Sequence, residues 1–132
     1  RLGHEVRCAD IDADRVARLA KGEIPILEEG MPALVAEGLS TQRLRFVVGA
    51  ASAVRNADFV FLCVGTPPGD DGSADLSAIE AVAREIAPLL EPGAVVVNKS
   101  TVPVGTTRLV ARWLAEAGAA VAGLGDVVGA LR

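Results

Sequence analysis

Short apolar runs alternate along the chain with longer stretches in which apolar residues return every third or fourth position, the pattern of buried strands and amphipathic helices in turn. Residues 4–10 (HEVRCAD) read as a strand, after which Asp12 caps a helix whose apolar positions Val16, Leu19 and Ala20 share a face and which Gly22 ends. Residues 24–30 (IPILEEG) read as a loop, because Pro25 lacks an N–H and restricts the residue before it. A helix over 31–37 then stops near Gly38. Residues 44–48 and 58–64 are too short for helices and rich in Val and Phe, so they read as parallel strands buried on both faces, with a short helix over 50–56 between them.

Further on, Ser77 and Glu80 have capping-box spacing, and Ile79, Val82, Ala83, Ile86, Leu89 and Leu90 form the apolar stripe of a helix that Glu91-Pro92-Gly93 stops. Residues 94–98 are the next strand, and 106–117 the next helix, with Leu109, Val110, Trp113 and Leu114 facing inward. This alternation predicts an α/β fold, a right-handed parallel sheet with helices on both faces, since parallel neighbours need crossovers. The Gly- and Ala-rich tail over 119–132 suggests only a short strand around 120–122.

The chain's 132 residues suit one domain, and its 51% hydrophobic and 23% charged composition suits a soluble globular protein with no apolar run long enough to span a membrane. A net charge of -4 argues against general attraction to nucleic acid or anionic membranes, so any phosphate site must be local. Cys8 and Cys63 lie in strand-like runs and read as small buried thiols, not as a disulfide or metal pair, which suits a reducing cytoplasm. The first residue is Arg1 and no signal segment follows, so the chain reads as one whose beginning is absent.

In an open parallel sheet, ligands sit beyond the carboxyl ends of the strands. Asp10 ends the first strand, Gly65-Thr66-Pro67 follow the strand ending at Val64, and Ser100-Thr101 follow the strand ending at Asn98, so these loops are expected to converge on one rim. Asp10 has two readings: an acid that accepts hydrogen bonds from the ribose of a dinucleotide, or a turn residue and helix cap. Arg15, in the first turn of the following helix, either lines the adenosine edge or is an exposed helix arginine. Thr66 and Thr101 offer small hydroxyls beside glycines and prolines that constrain the turns, and each pattern alone also fits ordinary turn and capping chemistry.

Other chemistry is sparse. His4 is the only histidine, which rules out a histidine metal cluster and a Ser-His-Asp arrangement. Glu28 and Glu29 are adjacent and expected to diverge into solvent. Asp70, Asp71 and Asp75 lack calcium-loop spacing and read as turn and helix-start residues, while Lys99 is either a phosphate contact or an exposed cation.

Taken in order, RLGHEVRCADID, VARLAKGEIPILEEGMPALV, NADFVFLCVGTPPGDDGSADLS and NKSTVPVGTT resemble the N-terminal NAD-binding domain of the UDP-glucose and GDP-mannose dehydrogenase family, over residues 1–118. The resemblance implies a Rossmann-like doubly wound sheet in a cytoplasmic, homodimeric enzyme of polysaccharide biosynthesis. Such an enzyme oxidises the C6 alcohol of a nucleotide sugar to a carboxylate in two steps, each reducing one NAD. It implies that Asp10 binds the adenosine ribose with Arg15 close by, and that Thr66 and Thr101 contact the cofactor nearer its nicotinamide side. Thr101 would also help to position a water or a proton-transfer group near the substrate. One segment departs from the family, which more often has Glu-Pro-Gly-Leu where this chain has Glu28-Glu29-Gly30-Met31.

The glycine fingerprint of such a fold lies about 20 residues before the ribose acid, and Asp10 has only nine residues ahead of it. The first strand and Gly-rich turn are therefore expected to be missing. In the usual strand order that strand is central, and two strand spacings of about 4.8 Å would hold Cys8 and Cys63 beyond the ~7 Å limit for bridging. The family's Asn-Pro-Glu-Phe-Leu segment, its linking helix and its nucleophilic cysteine are not in the sequence either, and neither Cys8 nor Cys63 matches that nucleophile. Residues 1–132 are thus expected to be a partial NAD-binding domain without the sugar-nucleotide domain and without assigned catalytic residues. The alternative is a non-catalytic nucleotide-binding or interaction module.

Overall fold

Strand β1 (Val6–Asp10) runs parallel to β2 (Leu44–Val48), in a register that sets Val6 beside Leu44, Cys8 beside Phe46 and Asp10 beside Val48. The computed structural model describes residues 3–25, 28–69 and 72–120. It divides the chain into two compact units, Arg1–Ala53 and Val54–Arg132.

In the first unit, helices α1 (Ala13–Ala20) and α2 (Met31–Ser40) make the crossover that a parallel pair requires. Asp12 caps α1 as expected, accepting the Arg15 N–H at 3.0 Å, and the helix ends at Lys21 before Gly22 turns left-handed at φ 83°. Strand alternation puts Val6, Cys8, Leu44 and Phe46 on one face, where with Leu34 and Val35 they border an open groove of about 950 Å³.

Helix α2 runs through Gly38 to Ser40, longer than its sequence suggests. Gly38 is a point of close approach: a Cβ there would lie 2.8 Å from the Leu44 Cβ. The helix stops where the Thr41 hydroxyl donates to the Glu37 carbonyl at 2.8 Å. A short α3 (Ala51–Val54) follows β2, and the boundary between the units falls within it.

In the second unit, β3 (Phe59–Leu62) runs parallel to β4 (Val95–Asn98), and α4 (Ser77–Ile86), a single 3-10 turn (Ala87–Leu89) and α5 (Thr106–Glu116) complete it. The stripe expected on α4 is its buried face, with Ile79, Ala83 and Ile86 fully buried. Val60 and Leu62 of β3 and Val110, Trp113 and Leu114 of α5 are buried as well. Arg84 joins the two helices, donating to Glu80 and to Glu116, both at 2.8 Å.

The parallel α/β class is as expected, and among the described residues the strands form two parallel pairs, in keeping with the expected lack of a first strand. Three other expectations are corrected. Strand β3 is buried on one face only: side chains alternate along a strand, so Val60 and Leu62 are buried while Phe59, 63% exposed, and Phe61, 56% exposed, lie on the other face. Cys8 and Cys63 are both exposed, since Cys8 borders the open groove and Cys63 lies just beyond the end of β3. The Ser77–Glu80 capping box does not form: Asp75 accepts the Ser77 N–H at 2.9 Å, and Glu80 is engaged by Arg84. Of the strand suggested around 120–122, positions 121 and 122 lie outside the described residues, as do Asp70 and Asp71.

Candidate functional site

Each unit carries one group of candidate residues at the carboxyl end of its strands. In the first, Asp10 is the last residue of β1, and its carbonyl accepts the Gly49 N–H at 3.0 Å, which ties the ends of β1 and β2 together. Its carboxylate works on both oxygens: Oδ1 accepts the Asp12 N–H at 2.9 Å and Oδ2 accepts from Arg15 Nη1 at 2.8 Å. The turn-closing role is therefore realised. It leaves capacity for a ligand, because a carboxylate has about four acceptor positions and two are taken.

The Asp12 N–H, and after it the Arg15 guanidinium, hold the Asp10 carboxyl below the usual aspartate range. Asp10 is thus an anion at neutral pH, with 29% of its side chain exposed. Arg15 is 57% exposed, and its pKa is raised, chiefly by the hydrogen bond to Asp10. It also borders a smaller cleft of about 200 Å³ with Asp12, Asp14, Arg18 and Glu23.

In the second unit, the loop after β3 is fastened to the loop after β4. The Lys99 N–H donates to the Leu62 carbonyl at 2.8 Å, the Ser100 hydroxyl to the Val64 carbonyl at 2.7 Å, and the Thr66 hydroxyl to the Thr101 carbonyl at 2.7 Å. Thr66 is half-buried and Thr101 exposed. A Cβ on Gly65 would meet nothing within 4 Å, so the backbone there is open to close approach. Past Thr101, Pro103 accepts from the buried Thr106 hydroxyl at 2.8 Å, and Gly105 at φ 93° starts α5.

Asn98 ends β4 in register with the buried Leu62, so strand alternation turns it toward the covered face. Its Oδ1 accepts the Ser100 N–H at 3.2 Å, and its Nδ2 is buried without a hydrogen-bond partner among the described residues. Sequence reasoning grouped Ser100 with Thr101 as a ligand-facing pair, but the Ser100 hydroxyl is spent on a carbonyl of the other loop. The available signal was an asparagine and a serine closing a run of valines.

The structure thus brings Asp10 together with Arg15, and Thr66 together with Thr101. His4, Glu28, Glu29 and Lys99 are exposed. Asp75 has the helix-start role read for it, and its pKa is lowered by hydrogen bonds from Ser77.

Residues 1–127 match the UDP-glucose/GDP-mannose dehydrogenase family, NAD binding domain. A UDP-glucose 6-dehydrogenase of Pseudomonas aeruginosa is 48% identical over 109 residues, which cover 83% of this chain and 24% of that protein. Among solved structures, a UDP-glucose dehydrogenase from the hyperthermophilic archaeon Pyrobaculum islandicum has a TM-score of 0.81 at 44% identity, covering 91% of this chain and 29% of that one. A GDP-mannose dehydrogenase from Pseudomonas aeruginosa has a TM-score of 0.78 at 35% identity, covering 87% and 27%. The chain spans about a quarter of the length of the curated relatives it matches. With parallel strands, crossover helices and an ionised aspartate at the end of β1, the chain belongs to the UDP-glucose/GDP-mannose dehydrogenase family and matches its NAD-binding domain.

Proposed function

We propose that this chain is the cofactor-holding part of an NAD-dependent nucleotide-sugar 6-dehydrogenase that oxidises a sugar C6 alcohol to a carboxylate. The observation that carries this reading is the family match over residues 1–127, in a chain whose β1 ends in an ionised aspartate. When bound, NAD accepts hydride from the sugar carbon. The residues present suit its chemistry: Asp10 has acceptor capacity for ribose hydroxyls, Gly65 leaves room for close approach, and the Thr66 hydroxyl, whose hydrogen goes to the Thr101 carbonyl, has lone pairs with which to accept.

Arg15 is placed beside the adenosine, and Thr66 and Thr101 nearer the nicotinamide. In this reading Asp10, Thr66 and Thr101 each contact the cofactor, and the enzyme is a cytoplasmic homodimer of polysaccharide biosynthesis. Family resemblance supports each of these assignments.

The test is NAD reduction, followed at 340 nm, by the full-length polypeptide that carries this chain, with UDP-glucose, GDP-mannose and UDP-N-acetylmannosamine. Turnover with one of them is expected; no turnover with any nucleotide sugar would overturn the proposal. The 132 residues alone contain no Gly-rich phosphate turn before Asp10, and helix N-terminal amides supply much of the affinity for a pyrophosphate. Titrating this chain by itself with NAD is therefore expected to show binding weaker than micromolar, and tight binding would contradict the need for that turn.

A further inference from the structure

We propose that Ser100 is a positioning residue for the dinucleotide and acts through Thr66. The inference rests on the reading above that Thr66 touches the cofactor.

A hydroxyl has one hydrogen to donate and two lone pairs to accept with. Thr66 gives its hydrogen to the Thr101 carbonyl at 2.7 Å, so toward a ligand it presents an acceptor. That polarity lasts only while the two loops stay in register. Lys99 sets the register at the strand end through the Leu62 carbonyl, and Ser100 sets it one step further out, at the Val64 carbonyl, two residues before Thr66. The Ser100 main chain is itself held by Asn98, whose side chain lies on the covered face of the sheet. The Thr66–Thr101, Ser100–Val64 and Lys99–Leu62 contacts each join residues more than thirty positions apart and cross from one connection to the other.

It follows that the loop pair selects a hydrogen-bond donor on the ligand, either a ribose hydroxyl or the carboxamide N–H. Without the Ser100 hydroxyl, the Val64 carbonyl loses its partner and the loop after β4 is free to drift. The Thr66 hydrogen is then released from Thr101, and the hydroxyl can rotate to offer a donor where the ligand also offers one.

The experiment measures the NAD dissociation constant of the full-length polypeptide and of its Thr66→Val, Ser100→Ala and doubly substituted forms. Each single change is expected to weaken NAD about 5- to 10-fold, the value of one ordinary hydrogen bond, and the double change no more than about 10-fold, because both remove the same contact. The KM for NAD should rise while the KM for the sugar nucleotide holds. A carboxamide contact predicts that Thr66→Val also abolishes the preference for NAD over its 3-acetylpyridine analogue, whereas a ribose contact leaves that preference intact.

If the double variant loses about the product of the two single effects, or if Ser100→Ala binds NAD as the unsubstituted protein does, the positioning role is refuted while the cofactor reading stands. If Thr66→Val binds NAD normally, the placement of Thr66 at the cofactor fails and this inference fails with it. Should Ser100→Ala not fold, Ser100→Cys keeps a similar volume with a weaker donor, and the same comparison is made with it.

Discussion

Arg15, in the first turn of α1, donates through Nη1 to Asp10 Oδ2 at 2.8 Å, linking the last residue of β1 to the helix that follows it. The same carboxylate closes the intervening turn through Asp12, so strand end, turn and helix start are fastened by one side chain. This holds Asp10 in a fixed position and charge state while two of its acceptor positions stay available.

The pair predicts a pH dependence of stability. Hydrogen bonds from Asp12 and Arg15 lower the Asp10 pKa in the folded chain, so its contribution is fully present above the unfolded value of about 3.9 and is lost as pH falls through the lower folded value. The urea midpoint of Asp10→Asn should lie below that of the unsubstituted chain at pH 7, and the gap should close as pH falls below about 4. A gap that widens toward acid would contradict the sign. The effect is expected to be small, because Arg15 is largely in water.

Gly38→Ala should destabilise the first unit by about 1–3 kcal/mol, although alanine is the better helix former by about 1 kcal/mol. The new methyl would meet the Leu44 Cβ, which cannot swing aside as a side-chain tip would. Chemical denaturation of the purified variant checks this, and a gain in stability would show that α2 and β2 can move apart freely.

In the second unit, apolar burial should outweigh ion pairing. Ile79→Ala removes a fully buried side chain and is expected to cost about 2–5 kcal/mol. Arg84→Ala removes both ion pairs between exposed partners and is expected to cost less than about 1 kcal/mol. Equal losses in thermal or urea unfolding would indicate that the Arg84 link is a principal support of the α4 and α5 packing.

The elements were legible in the sequence wherever periodicity was strong. The Ile79, Ala83, Ile86 stripe and the valine run before Asn98 each gave an element of the right kind within a few residues. What covers each face was not legible: Phe59 and Phe61 read as core because a valine- and phenylalanine-rich run looks the same whether one face or two are packed. Gly38 read as a stop because its role depends on Leu44, which local pattern does not reveal. At the site, Asp10 and Arg15 lie close in sequence and were found together, whereas the Ser100 bond to Val64 spans loops far apart in the chain. Likewise Ser77 read as the cap of α4 until the carboxylate of Asp75, two residues earlier, proved to take its N–H.

We propose that the Asp10 carboxylate anchors the adenosine ribose of NAD. An acid in this place accepts from the ribose 2′-hydroxyl and repels a 2′-phosphate, and it also neutralises Arg15, which could otherwise pair with that phosphate. The decisive measurement is kcat/KM for NAD and for NADP in the full-length polypeptide with its sugar nucleotide, before and after Asp10→Asn. A strong preference for NAD is expected, which Asp10→Asn reduces by about 10- to 100-fold, the value of a hydrogen bond to a charged group. A preference left unchanged by Asp10→Asn would contradict it.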